Sequence, residues 1–254
     1  MDIMTNCDIK MIAMKQSAID LNCEVTDFLG DKNKVVISKL HEKRKKFITK
    51  PNFCRLVCYG NACVASVDQQ IKDFVGKLIQ NRLGFRCFEQ LAALNSEFAK
   101  YGKEIGVEEF FLPDKNKIIR ITPNFDVKIY DENEIRRLFY GDDRFHMALG
   151  YLPPDSERKD VIAAVAYNKN GEIMGMSGAS NDSNTMWQVG IDVVPEFRQR
   201  GIGTTLVNII TNEILNDGIV PFYGTPWSHI ASKNVAVSSG YKSAWVELCA
   251  YDAH

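Results

Sequence analysis

Apolar and polar positions alternate along "MWQVGIDVV" (186–194), with Trp187, Val189, Ile191 and Val193 on one face and Gln188, Gly190 and Asp192 on the other. That period of two predicts a strand. In "QQIKDFVGKLIQN" (69–81), Phe74, Val75, Leu78 and Ile79 recur at the spacing of a helix face. "NFCRLVCYG" and "ACVASVD" flank Gly60-Asn61 as a hairpin, and "VIAAVAYNKNGEIMGMSGAS" makes another around Asn170-Gly171. The first fifty residues read mainly as helix, "GFRCF" (84–88) as a short strand, and "EQLAALNSEFAKYG" as a helix closed at Gly102. "VEEFFLP" and "KIIRITP" read as two more strands.

Near Pro123 the pattern starts again. "FDVKIY" is a strand and "DENEIRRLFY" a helix opened by Asp131, with acidic residues in its first turn. After the strand at 186–194 come the helix "GTTLVNIITNEILND", the strand "IVPFYG", the helix "HIASKNVAVSSG" and the strand "SAWVELCAYD". The fold class is therefore α/β, with two faces of sheet to cover. Two domains are expected, 1–124 and 125–254. Their element orders echo each other weakly enough that the first reads as a degenerate copy of the second.

Composition narrows the function classes. With 254 residues, 45% hydrophobic and 25% charged, the chain is an ordinary globular one. No apolar run reaches bilayer length, and "MDIMTNCDIKMIAMKQ" lacks an apolar signal region, so no membrane contact and a cytoplasmic location are expected. The seven cysteines are irregularly spaced, and Cys54, Cys58 and Cys63 read as buried free thiols with no metal. A net charge of −1 gives no global case for nucleic acid. Residues 1–124 hold 20 Lys and Arg against 15 Asp and Glu, whereas 125–254 hold 11 against 17. The acidic half favours a cationic substrate such as an amine. The basic run "HEKRKKFITK" (41–50) reads as a solvated helix face.

The chemistry concentrates in "PEFRQRGIGTTL" (195–206). Gly201 and Gly203 permit close backbone approach, the following helix presents free amides, and Arg198 and Arg200 add donors suited to phosphate. A nucleoside-triphosphate loop would need a Gly-Lys-Ser/Thr step, but Gly203 leads into Thr204-Thr205. A dinucleotide fingerprint would need a third glycine, where Leu206 stands.

The form present is R-x-x-G-x-G, from Arg198 to Gly203, after one strand and before one helix. This resembles the acyl-CoA-binding motif of the GNAT superfamily of N-acetyltransferases, over about residues 125–252 in element order and most specifically at 187–241. The resemblance implies a mixed, mostly antiparallel twisted sheet flanked by helices in the second half, and acetyl-CoA as acyl donor. It implies that backbone atoms of Ile191, Asp192 and Val193 pair with the cofactor's pantetheine arm. The pyrophosphate would rest on Gln199, Arg200, Gly201, Ile202, Gly203 and Thr204, beside Arg198. The family commonly has an asparagine, a tyrosine acid and a glutamate base, and these positions map to His229, Ala236 and Gly224. Only His229 retains a polar side chain, as a cofactor contact and candidate base.

The remaining candidate bases are Asp192 and Glu247. Tyr223 and Trp227 in "PFYGTPWSH" are candidate walls of an amine pocket, and Asp182 a candidate attractor of a cationic acceptor or a plain turn residue. The expected function is acetyl-CoA-dependent N-acetylation of a small-molecule primary amine, by Asp192 or His229. The alternatives are an acyl-CoA-binding sensor without turnover, motivated by Gly224 and Ala236, and a protein N-acetyltransferase. The family usually ends on two strands but only one follows residue 240, so residues 1–124 are expected to supply its neighbour and to shape the acceptor pocket or a homodimer.

Overall fold

The computed structural model describes residues 4–253. In chain order the elements are α1 (Asn6–Leu21), α2 (Thr26–Leu29), β1 (Lys34–Ile37), β2 (Cys54–Cys58), β3 (Cys63–Val67), α3 (Lys72–Ile79), α4 (Leu91–Ala99) and β4 (Lys103–Pro113). There follow β5 (Asp126–Asp131), α5 (Glu132–Phe139), β6 (Asp160–Tyr167), β7 (Ile173–Ser180), β8 (Met186–Val193), α6 (Ile202–Asn216), β9 (Val220–Pro226), α7 (Ile230–Ser238) and β10 (Tyr241–Asp252). The chain divides into two compact units. A leading unit comprises Lys10–Phe110, Thr225–Ser228 and the chain from Ser243 onward. A trailing unit comprises the chain up to Ile9, Phe111–Gly224 and His229–Lys242. The division is interleaved, where a single cut near residue 124 was expected.

In the leading unit the strand order is β1-β3-β2-β10-β4. The β2–β3 hairpin pairs Cys54↔Val67 through Cys58↔Cys63, and β1 lies parallel to β3. Strand β10 runs antiparallel to β2, from Val246↔Cys58 to Cys249↔Arg55, with β4 on its other side. The last strand thus finds its neighbours in the first half of the sequence. One core gathers Leu56, Val67, Ile71, Val75, Ile79, Leu94 and Phe98. Elsewhere in this unit, the indole of Trp245 stacks at 4.8 Å on Phe110.

Several expectations change here. "GFRCF" lies in a 3₁₀ turn, Gly84–Gln90, because Gly84 packs so tightly that a Cβ would stand 1.8 Å from the Asn61 carbonyl oxygen. Residues 34–37 form β1, where helix was expected. The basic run 41–50 is a series of turns rather than a helix face, and Lys45 is 2% exposed with its ammonium 3.2 Å from Asp20. Cys54, Cys58 and Cys63 are buried free thiols. The helical turn after β3 opens at Asp68, whose carboxylate accepts from the Gln70 amide at 2.9 Å.

The trailing unit orders its strands β5-β6-β7-β8-β9, antiparallel except for the parallel pair β8–β9. It is a mixed, mostly antiparallel sheet flanked by helices. Alternation along β6 sends Ala164 and Ala166 to one face, against Leu206, Val207 and Ile210 of α6. Ala163 and Val165 face the other way, against Ile135 and Phe139 of α5 and Phe145 and Leu149. Asp131 opens α5 through a capping box with Glu134. "KIIRITP" forms no strand. Its backbone is bound instead by Asn208 of α6, which donates to Ile119 O at 3.0 Å and accepts from the Ile121 amide at 2.9 Å.

Candidate active site

Pairing between β8 and β9 runs from Met186↔Val220 to Val189↔Tyr223 and stops there. Strand β8 nevertheless continues to Val193, still paired on its other side with β7 through Gly175↔Val193, Met176↔Asp192 and Ser177↔Ile191. The segment Gly190–Val193 therefore presents backbone toward β9 that the ladder leaves open, and Ile191, Asp192 and Val193 lie within it. A free strand edge of this kind can hydrogen-bond an extended amide-bearing chain.

The turn after β8 is shaped by two left-handed residues, Gln199 at φ 60° and Gly201 at φ 76°. Gly201 caps α6, whose first helical bond is Thr205 N–H to Gly201 O at 3.0 Å. The amides of Ile202, Gly203 and Thr204 precede that bond and have no intrahelical acceptor. They lie at the positive end of a helix of 15 residues. Gly203 serves packing, since a Cβ there would stand 3.3 Å from Val193 Cγ2 and 3.5 Å from Ile191 Cγ1. Arg198 donates through Nε to Val193 O at 3.0 Å, and Arg200 through Nη2 to Glu196 O at 3.0 Å while covering the Phe197 ring. Both guanidinium groups brace the turn, and each has donors beyond these bonds.

Asp192 Oδ2 accepts the amides of Met147 at 2.7 Å and Ala148 at 2.9 Å. Burial raises its carboxyl above the ordinary aspartate value, against these two amides and the nearby His146 and Arg198, which lower it. The segment it holds lies flat on the sheet, over the opposed glycines Gly178↔Gly190. A Cβ on Gly178 would stand 2.3 Å from Ala148 O, and one on Gly190 2.0 Å from Met147 O. His146 and Met147 are exposed between buried Phe145 and Ala148. No motif marked this loop in the sequence; the one available signal was a histidine beside an apolar pair.

The other candidates separate. His229 is exposed at the N-cap of α7 and makes no side-chain cap. Tyr223 is 3% exposed in the core, with its hydroxyl 2.8 Å from Ser232 Oγ and its ring edge-on to Tyr241. Its placement is that of a core residue rather than a pocket wall, and burial raises its phenol. Trp227 belongs to the leading unit, about half exposed, its amide bonded to Val107 O at 3.1 Å. Glu247 also lies in the leading unit, with Oε2 3.0 Å from Arg55 and Oε1 accepting from Trp245 Nε1 at 2.8 Å. Asp182 is buried, paired with Arg158 at 2.6 Å. Ala236 is fully buried and Gly224 is half-buried.

Among solved structures, the chain resembles a GCN5-related N-acetyltransferase-like protein from Streptococcus suis, at 16% identity and TM-score 0.45, over 63% of this chain and 67% of that one. It also resembles a tandem GNAT protein from the clavulanic acid biosynthesis pathway, at 14% identity and TM-score 0.40, over 63% and 58%. A Drosophila protein matches at 13% identity and TM-score 0.44, over 76% and 60%. The chain spans 56 to 68% of the length of several such structures. No curated protein matches in sequence. The profile of the Acetyltransferase (GNAT) family matches residues 129–232, the stretch that contains β8, the glycine turn, α6 and β9. The likeness to the Acetyltransferase (GNAT) family is therefore carried by residues 129–232, where its model matches.

Proposed function

We propose that the chain is an acetyl-CoA-dependent N-acetyltransferase acting on the primary amine of a small molecule in the cytoplasm. The observation that carries the reading is the end of the β8–β9 ladder at Val189↔Tyr223, with the open start of α6 following on the same strand. These elements fit an acyl-CoA: the edge that β9 leaves unpaired at Ile191–Val193, where Arg198 already bonds the Val193 carbonyl, for the pantetheine amides, and the backbone of Gln199–Thr204 for the pyrophosphate. The thioester supplies an activated acyl group. Ile191, Asp192 and Val193 orient it through main-chain atoms, and Arg198 and Arg200 hold the turn in the shape that gathers its amides. His229, at the start of α7, is offered as a further cofactor contact.

Calorimetric titration with acetyl-CoA tests this. The wild type is expected to bind at micromolar concentration, and the double variant R198A/G201D to lose binding by at least about tenfold, since a carboxylate enters the anion site and a residue with a Cβ is strained at the φ of 76° that Gly201 adopts. Absence of binding by the wild type would remove the reading. A second reading, acyl-CoA binding without turnover, is favoured by Ala236 and Gly224, which place no acid or base side chain at two positions where the family commonly has them. Release of free thiol from acetyl-CoA in the presence of a panel of primary amines separates the two.

A further inference from the structure

We propose that His146 takes the proton released by the attacking amine and that Asp192 is the residue that positions it. This rests on the acetyltransferase reading, and it divides between two residues a task for which the sequence offered Asp192, Glu247 and His229 as single candidates.

The geometry is built from the trailing unit throughout. Asp192 Oδ2 already accepts two amides, Met147 N and Ala148 N, at 2.7 and 2.9 Å. Oδ2 is thereby closed to a proton, because protonation would set a hydroxyl against two donors, and only Oδ1 is left to Asp192 for that task. What those bonds accomplish is placement. They hold residues 147 and 148 against the bare patch of Gly178 and Gly190, and Gly190 opens the unpaired segment of β8. The residue immediately before the latched pair is His146, exposed and near enough to bear electrostatically on the Asp192 carboxyl.

The imidazole is itself oriented. Nδ1 stands 2.9 Å from the carbonyl oxygen of Asp143, and a carbonyl only accepts, so Nδ1 carries the hydrogen. The neutral ring then keeps its lone pair on Nε2. In the reaction the amine nitrogen forms its bond to the acyl carbon as the carbon–sulfur bond breaks. The proton on that nitrogen passes to Nε2 of His146 and on to water, and the departing thiolate takes a proton from water. Asp192, two residues along the strand from Gly190, adds a negative charge that favours the transient imidazolium.

Three variants of the full chain test this: H146A, D192N and D192A. Thiol release from acetyl-CoA is followed with the panel of primary amines, and amide hydrogen exchange is followed at Met147 and Ala148. H146A is expected to lose about 100-fold in kcat with acetyl-CoA affinity unchanged, and added imidazole to restore part of the rate. Asparagine retains an oxygen for the two amides, so D192N should keep their protection and stay within about tenfold of wild type, whereas D192A loses protection and about 100-fold in rate. Equal loss of rate in D192N and D192A, with protection kept in the former, would make Asp192 the proton acceptor and overturn the assignment. Wild-type rate in H146A would overturn it as well. No turnover by the wild type with any amine removes the acetyltransferase reading itself, while the exchange data still report whether the latch exists.

Discussion

At the scale of single residues, burial sets the character of the charged groups more than charge counting does. Lys45 sits in the most basic run of the chain, yet it is 2% exposed and paired with Asp20. Nothing in "HEKRKKFITK" separates it from its neighbours, because the partner is 25 positions away. Glu108 of β4 shows a different consequence. Burial, followed by the nearby charge of Glu247, raises its carboxyl above the ordinary glutamate value, while Arg55 and Lys45 pull it down. A raised carboxyl binds its proton more tightly in the folded chain than in the unfolded one. Stability linked to Glu108 is therefore full below the unfolded glutamate value and is lost as pH rises through the folded one. Glu108→Gln is expected to be more stable than wild type at pH 7, with the difference vanishing in acid. Denaturant midpoints at pH 7 and pH 4 measure this.

Elements were legible wherever the local pattern and the tertiary demand agreed. The strand at 186–193, the capped helix at 132–139 and α6 follow from alternation, capping chemistry and spacing that the finished fold also uses. The failures have specific physical causes. "KIIRITP" alternates like a strand, but Asn208 supplies its hydrogen bonds from a helix about ninety residues later. "GFRCF" is apolar enough for a strand, but the contact at Gly84 tightens it into a 3₁₀ turn. Asn208 can be tested directly. It is 1% exposed, donates to Ile119 O and to Ser239 O at 3.1 Å, and accepts from Ile121. Asn208→Leu would orphan these backbone groups and cost roughly 3 kcal/mol by equilibrium unfolding. In the site, the glycine turn was readable because its conformation is written in residue types. The latch between Asp192 and the 147–148 amides was not, since backbone donors leave no mark on a sequence.

At the scale of the whole molecule, the two units differ at the turn that follows β3 in one and β8 in the other. In the trailing unit the parallel neighbour of β8 is β9, which follows it in sequence; in the leading unit the parallel neighbour of β3 is β1, which precedes it. The helical turn after β3 has its N-terminus filled by Asp68, while α6 begins behind Gly201 with no side-chain cap. We propose that any duplication left the leading unit as a scaffold and the trailing unit as the acyl-CoA domain. Strand β10 is central to that scaffold, lying between β2 and β4. A chain cut after Lys242 is expected to lose the cooperative unfolding of the leading unit, and limited proteolysis would then cleave within residues 10–110 at concentrations that spare the intact protein.

The pairing of Val246–Cys249 with Arg55–Cys58 also has a consequence in time. A ribosome delivers residues 54–58 nearly two hundred positions before their partners. Until those arrive, one edge of β2 stands exposed while the rest of the polypeptide emerges, which is the condition that invites aggregation and engages chaperones. The stretch Lys10–Phe110 is therefore synthesised long before the strand that completes its sheet, and the yield of the leading unit in a cell is expected to depend on how fast translation reaches β10.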